Sequence, residues 1–390
     1  MPNYRMQRLL TIFFLIFLCA CGQRNTSENE TKEIDTLQSF ENFNNFLDGY
    51  IEAITEYDGK LIFAGNFVDT NGIKSTNIIA WDGKKWKSLG DGLNGEIMTL
   101  AVYNNVLYAG GTFDKAGEIN VQNIAKWDGE KWTDVGGGAK GFFITETSTK
   151  WINGKKIEKV KSINGYVNLL SVIDNELYMS GRFDSIGNLA AHNFAKWNGE
   201  KWTPIGQGIS DNILAMQLYK DELYIAGEFD TVDKKPFNYI AKWNGKEWQS
   251  VGQGTDRAIY SLNVFNSELY AGGCFTTADN ISAVGIAKWN GEKWTSIGKG
   301  MNVDKMGSVG SLTLYKNELY TGGLFDSVEN IQVNNIAKWN GKTWIPLGYG
   351  VNSCVGAMAV YQNELFITGP FDTVDNKPAN RIVKWKSITK

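Results

Sequence analysis

Residues 286–300 read IAKWNGEKWTSIGKG, and residues 194–208 read FAKWNGEKWTPIGQG. So long a stretch written twice with so few changes decides the fold, because a chain repeats itself where each copy must meet the same neighbours. The first Trp of each W-[DN]-G unit falls at Trp81, Trp127, Trp197, Trp243, Trp289 and Trp339, and a degenerate seventh copy, IVKWKSITK, places one at Trp385. The intervals are 46, 70, 46, 46, 50 and 46 residues, a period that marks a solenoid or a propeller.

Each unit holds four strand-like runs. In residues 212–252 they are NILAMQLY, ELYIAGEF, NYIAKW and EWQSVG, each short, rich in β-branched and aromatic residues, and bounded by turn formers. Asn244-Gly245 marks a hairpin between the third and fourth runs, since Asn and Gly tolerate the positive φ that tight turns demand. The two flanking Trp then meet across the hairpin. Four antiparallel strands of this length make one propeller blade. The expected fold is therefore all-β: a seven-bladed β-propeller over residues 37–390, with four antiparallel strands per blade. The second Trp follows the first by five residues at Trp86, Trp132, Trp202, Trp248, Trp294 and Trp344, but five beyond Trp385 stands Lys390. One period before Trp86 stands Phe40, in the run Phe40-Glu41-Asn42-Phe43. An N-terminal strand is therefore expected to complete the last blade and close the ring, leaving no open edge at the seam.

The pattern GGxF…NIAKWNGxxWxxLGxG resembles the kelch-like repeats of secreted bacterial proteins and of the fungal Rax2 cell-polarity family, over roughly residues 38–390. The resemblance implies a propeller and leaves function open, because propellers host enzymes, lectins and scaffolds alike.

The N-terminus speaks to location. Arg5 and Arg8 precede an apolar run from Leu9 to Leu18, too short to span a bilayer and of the form of a secretory signal. Leu18-Cys19-Ala20-Cys21 resembles the lipobox of bacterial lipoproteins, which implies that residues 1–20 are a signal peptide and that Cys21 carries the lipid anchor. Residues 21–36 are polar and charged and read as a flexible tether. The resemblance implies a cell-envelope protein, lipid-anchored, at the outer membrane; Gly22 after the anchor is compatible with that sorting. The remaining chain is expected to be monomeric. A formal charge of −3 argues against nucleic-acid binding, which needs a basic face.

Residues shared by every copy are explained by packing, so a site should show itself where one copy departs from the others. Of 14 Trp the repeat accounts for all but Trp151. Trp151 lies in the 70-residue interval, in an insertion at about residues 141–164 that is expected to form a projecting β-ribbon turning at Asn153-Gly154, with Glu146 opposite Lys161 and Ile144 opposite Ile163. Residues 139–165 hold 6 Lys and 2 Glu, interleaved with Phe142, Phe143 and Trp151. Aromatic faces stack on sugars and ammonium groups meet carboxylates or phosphates, so a glycan, an anionic envelope polymer or a protein partner is the expected ligand. The insertion belongs to the connections between successive blades, which share one face, here the top face, with the loops joining second and third strands. The binding residues expected there are Phe142, Phe143, Trp151, Lys155, Lys156, Arg182 and His192.

Other chemistries find little support. His192 is the only His, which rules out His-rich metal sites and leaves no choice of His for a catalytic triad. No metal, cofactor or catalytic residue is assigned. Arg182, Arg257 and Arg381 map to top-face segments of three different blades, and they are read as separate surface pairs rather than one anion grip. The Phe-Asp pairs ending at Asp114, Asp184, Asp230, Asp326 and Asp372 are read as turn caps. Two alternatives to a binding module stand beside it: a glycan-active hydrolase or lyase with paired carboxylates in the central funnel, and a structural subunit of an outer-membrane complex. Two carboxyl groups peculiar to one or two blades and converging in the funnel would favour the enzyme.

Overall fold

The computed structural model describes residues 38–43, 49–67, 73, 75–152, 155–302 and 307–387. Its described elements are all strands, and they build seven four-stranded antiparallel sheets and several short satellites. In the fourth sheet Ile213–Tyr219, Glu222–Gly227, Ile240–Trp243 and Trp248–Ser250 pair in chain order. The first strands of successive sheets lie against one another, from Gly49–Tyr57 through Ile97–Tyr103 and Tyr166–Ile173 onward, and Ala357–Tyr361 of the seventh lies against Gly49–Tyr57 of the first.

Between first and second strands the chain turns on two residues, both at positive φ, as at Lys220 (51°) and Asp221 (61°). Their mirror-type twist matches that of the strands they join. The Asn244 corner works differently from the expectation. Only Gly245 takes positive φ (92°), while the Asn244 Oδ1 accepts hydrogen bonds from the backbone N–H groups of Lys246 (2.9 Å) and Glu247 (3.0 Å). Asn caps the corner through its side chain rather than its backbone.

Packing between sheets repeats with the sequence. Trp127 and Trp132 pair across their hairpin with ring centroids 5.3 Å apart, and the buried Trp132 Nε1 donates to the Leu89 carbonyl of the preceding sheet at 2.8 Å. Trp202 to Val135 and Trp294 to Val251 repeat the bond at 2.9 Å. At the other end, Asn77 at φ 64° accepts from the Phe67 N–H (2.9 Å) and donates to the carbonyls of Leu93 (3.0 Å) and Gly95 (2.8 Å) in the next sheet. In the seventh sheet Arg381 takes this place at φ 60°, its Nη1 donating to the Gly49 carbonyl and its guanidinium stacked 5.4 Å from the Tyr50 ring centre. Arg381 thus serves the contact between the seventh and first sheets. The outer strand of the seventh sheet is Gln38–Asn42, which pairs Phe40 with Trp385, the rings 4.6 Å apart. Phe43 follows it into a cluster with Phe63, Trp81, Trp86 and Phe366. The Asp series spreads around the sheets: Asp114 accepts from Asn94, Asp230 from Ser210, and Asp372 from Asn352.

Candidate functional site

The decisive local feature is a β-bulge. In six sheets the register between first and second strands slips near the start of the first strand, at Glu52, Met98, Asn168, Leu214, Tyr260 and Gly310. An extra residue in one strand is re-aimed out of the regular alternation. Four of these residues, Glu52, Leu214, Tyr260 and Gly310, line a single cavity of about 290 Å³, together with Gly356 at the matching place in the seventh sheet. Residues at the ends of the second strands complete it: Glu228, Leu324 and Pro370. The lining therefore comes from the first, fourth, fifth, sixth and seventh sheets.

Its walls are unequal. The sixth and seventh sheets contribute Ser308, Gly310, Gly323, Gly356 and Gly369, which leave room, while the first, fourth and fifth contribute Tyr50, Glu52, Glu228 and Tyr260. Glu228 is 8% exposed and its Oε2 accepts from the Asn212 Nδ2 at 3.0 Å. Asn212 is held in turn by the Tyr166 hydroxyl, which donates to its Oδ1 at 3.1 Å. Burial pushes the Tyr166 phenol up to about 12. The Tyr260 hydroxyl donates to the Cys274 Sγ at 3.3 Å; burial, the thiol and Glu228 all raise it, against Arg257. Glu52 is the anomaly. Burial and then the negative charge of Glu96 push its carboxyl up to about 7, and burial also raises Glu96.

The expected site residues are scattered relative to this cavity. The insertion does form a ribbon, Phe142–Ile152 paired with Lys155–Asn164. Phe142 and Phe143 stand at its base opposite Asn164 and Ile163, and Trp151 stands near its tip opposite Lys156, next to the pair of Ile152 with Lys155. Glu146 does face Lys161, but a bulge after Ile144 sets Ile144 opposite Ser162. The ribbon's side chains and its turn at residues 153–154 lie outside the described residues. At its base the Gly165 N–H donates to the Gly141 carbonyl at 2.8 Å, and the next residue, Tyr166, is linked to the polar wall through Asn212, which also bonds Glu228. Arg182 is half-buried and directly opposite Tyr166 in register. His192 is exposed on the loop beside Gly208, away from the cavity lining.

What the sequence reading missed is the column of bulge residues. Glu52, Met98, Asn168, Leu214, Tyr260, Gly310 and Gly356 stand at one repeat position, and so do Asn66, Thr112, Arg182, Glu228, Cys274, Leu324 and Pro370, each just before the Phe of the second strand. These two columns vary from copy to copy, as does the column of Tyr50, Glu96, Tyr166, Asn212, Ala258, Ser308 and Cys354 two residues ahead of the first, while the Gly before the second column is the same in every copy.

Sheets of four antiparallel strands, set against one another by their first strands, are blades of the β-propeller kind. No family model and no curated protein matches the chain. Among solved structures, the computationally designed Ika8 protein is similar at 14% identity, with a TM-score of 0.49 over 90% of this chain and 98% of that one. The β-propeller domain of the Trilobed protease from Pyrococcus furiosus is similar at 10% identity and a TM-score of 0.33, over 76% of this chain and 97% of that domain. Polysaccharide lyase Uly1 is similar at 10% identity and a TM-score of 0.40, over 92% and 94%. None of the three is near enough to carry an argument about what this chain does.

Proposed function

We propose that this chain is a closed seven-bladed β-propeller, lipid-anchored through Cys21 in the bacterial cell envelope, that binds a ligand at the top-face mouth of its central channel. The observation that carries the reading is convergence: residues at repeat positions that differ from copy to copy, among them Tyr50, Glu52, Leu214, Glu228, Tyr260 and Leu324, line one cavity, whereas the repeated Trp corners are spent on packing. Sharing of that cavity by the first, fourth, fifth, sixth and seventh sheets, with the contact of Ala357–Tyr361 on Gly49–Tyr57, supports closure. The ribbon of residues 142–164 stands at the rim, as a second contact for a glycan, a polymer or a protein partner larger than the cavity. Leu214→Trp in the full chain, which fills the cavity, should abolish binding in a screen of envelope extracts and small metabolites. Retention of every bound ligand by this variant would refute the cavity as the site. Anchoring is checked separately: Cys21→Ser should move the protein from the membrane fraction to the soluble one.

One observation favours the enzymatic reading as second. Glu52 and Glu228 line the same cavity, and no other copy has an acid at either position; a carboxyl held near 7 suits a general acid. Release of reducing ends or unsaturated sugars from a polysaccharide panel, lost in both Glu52→Gln and Glu228→Gln, would establish it.

A further inference from the structure

Of the charged groups around the cavity, Glu52 has the fewest partners. No hydrogen bond or ion pair reaches its carboxylate among the described residues, and its only charged influence is the repulsive Glu96 of the second sheet. Glu228, across the cavity on the fourth sheet, is already bonded to Asn212. Among the described residues the lining contains no Lys, Arg or His. Arg381, at the contact of the seventh sheet with the first, is spent on the Gly49 carbonyl and the Tyr50 ring. A half-buried carboxylate without a partner is costly, and much of the remaining lining is apolar or aromatic, with Leu214, Leu324, Val355 and Pro370 beside Tyr50 and Tyr260.

We propose, building on the cavity-binding reading above, that the ligand is a small organic cation, an amine or quaternary ammonium with an apolar body, whose counter-ion is Glu52. The cation supplies the charge that Glu52 lacks, the Tyr260 ring offers a face on which an ammonium group sits, and the apolar wall takes the body. Among the described residues no set of three or more His, Cys, Asp or Glu is placed to hold a metal ion, so an inorganic cation is the weaker fit. About 290 Å³ is at the small end of ligand cavities, enough for a free amine or for the amine-bearing end of something longer. Binding and protonation compete at Glu52. With Glu96, Glu228, Tyr50 and Tyr260 around the site, Arg257 acting on Tyr260 and Arg381 seated on Tyr50, and its carboxyl titrating at about 7, uptake of a cation displaces a proton, and affinity rises with pH through neutrality.

The test is calorimetry on the full chain in detergent with four probes: choline and its neutral isostere 3,3-dimethylbutanol, benzylamine and its neutral isostere benzyl alcohol. The expected result is binding of a cation at least tenfold tighter than its isostere, weakened about tenfold between pH 8 and pH 6, with proton release, and lost in Glu52→Gln. A wild type that binds the neutral isosteres as tightly, or a Glu52→Gln protein with unchanged cation affinity, overturns the inference, and so does failure of both cations to bind. The two readings fail separately. A neutral or anionic ligand whose binding is abolished by Leu214→Trp leaves the cavity reading standing and removes the cation. Ligands that bind but ignore Leu214→Trp remove both. Circular dichroism of each variant at pH 7 shows that it is folded.

Discussion

The two ends of each sheet are written in opposite ways. At the Trp corner the copies agree: six sheets carry the same tilted Trp pair, with centroids 5.1 to 5.5 Å apart. At the cavity end the first strands carry Glu52, Met98, Asn168, Leu214, Tyr260 and Gly310 in one column, with Gly356 just ahead of the seventh. A corner packed against an identical neighbour tolerates one solution, so it repeats. A position facing a common cavity has no such neighbour and is available for recognition. Repetition marks packing, and departure within a column marks the site.

That contrast is sharpened first at the seam, where the repeat is replaced by a substitute. Phe40 stands in for the missing second Trp and Phe43 enters a cluster of four aromatic side chains. Replacing residues 38–43 with a Gly/Ser linker removes both and exposes the edge of the strand Ile382–Ser387. With about 3–5 kcal/mol for the buried Phe43 and a further share for the half-buried Phe40 and the lost strand pairing, the loss of stability should exceed ~5 kcal/mol in urea unfolding. A loss under ~2 kcal/mol would break the account of the seam as an integral outer strand. Next in size is a corner itself. Trp294 is 3% exposed and bonded to Val251, so Trp294→Ala should cost about 3–5 kcal/mol and leave the shape of any pH dependence untouched.

At the cavity end the expected sign reverses. Glu52 is raised to about 7 from an ordinary 4.5, so the folded chain holds a proton that the unfolded chain releases. Its contribution is fully favourable below about pH 4.5 and is lost as pH rises through 7. Glu52→Gln removes the titration. It should stabilise the protein by about 2–3 kcal/mol at pH 8 and change little at pH 4, as read by thermal melts at the two pH values. A destabilised variant at pH 8 would mean that Glu52 serves packing like the corner residues.

Much of this architecture could be read from residue spacing alone. The Trp intervals give the repeat, the four runs give the sheet, Phe40 falls opposite Trp385, and the pairing of Glu146 with Lys161 follows from ribbon length. The cavity was not legible in the same way. Tyr50, Ile51 and Glu52 in succession all reach it, which strict alternation along a strand does not allow, and the register slip at Glu52 that permits it is not announced by spacing. Charged pairs such as Lys220-Asp221 also carry turns at positive φ that a search for Asn-Gly passes over. Arg182 was found for its place on the top face; its partner in register, Tyr166, emerges only when the strands are paired.

The smallest effect on stability is expected from the largest departure in sequence. The ribbon of residues 142–164 pairs with itself, and its two ends are already joined by the bond from Gly165 to Gly141. Excising it and linking Gly141 to Gly165 therefore leaves the seven four-stranded sheets paired as they are and shortens a loop, a change expected to be about 1 kcal/mol or less. Calorimetry with choline should give the same affinity with and without it, because Glu52, Glu228 and Tyr260 stay in place. Binding of a larger envelope partner should fall. Loss of choline affinity on excision would make the ribbon part of the cavity wall, and the separation between a packing scaffold, a small-ligand site and a rim contact would have to be redrawn around Tyr166.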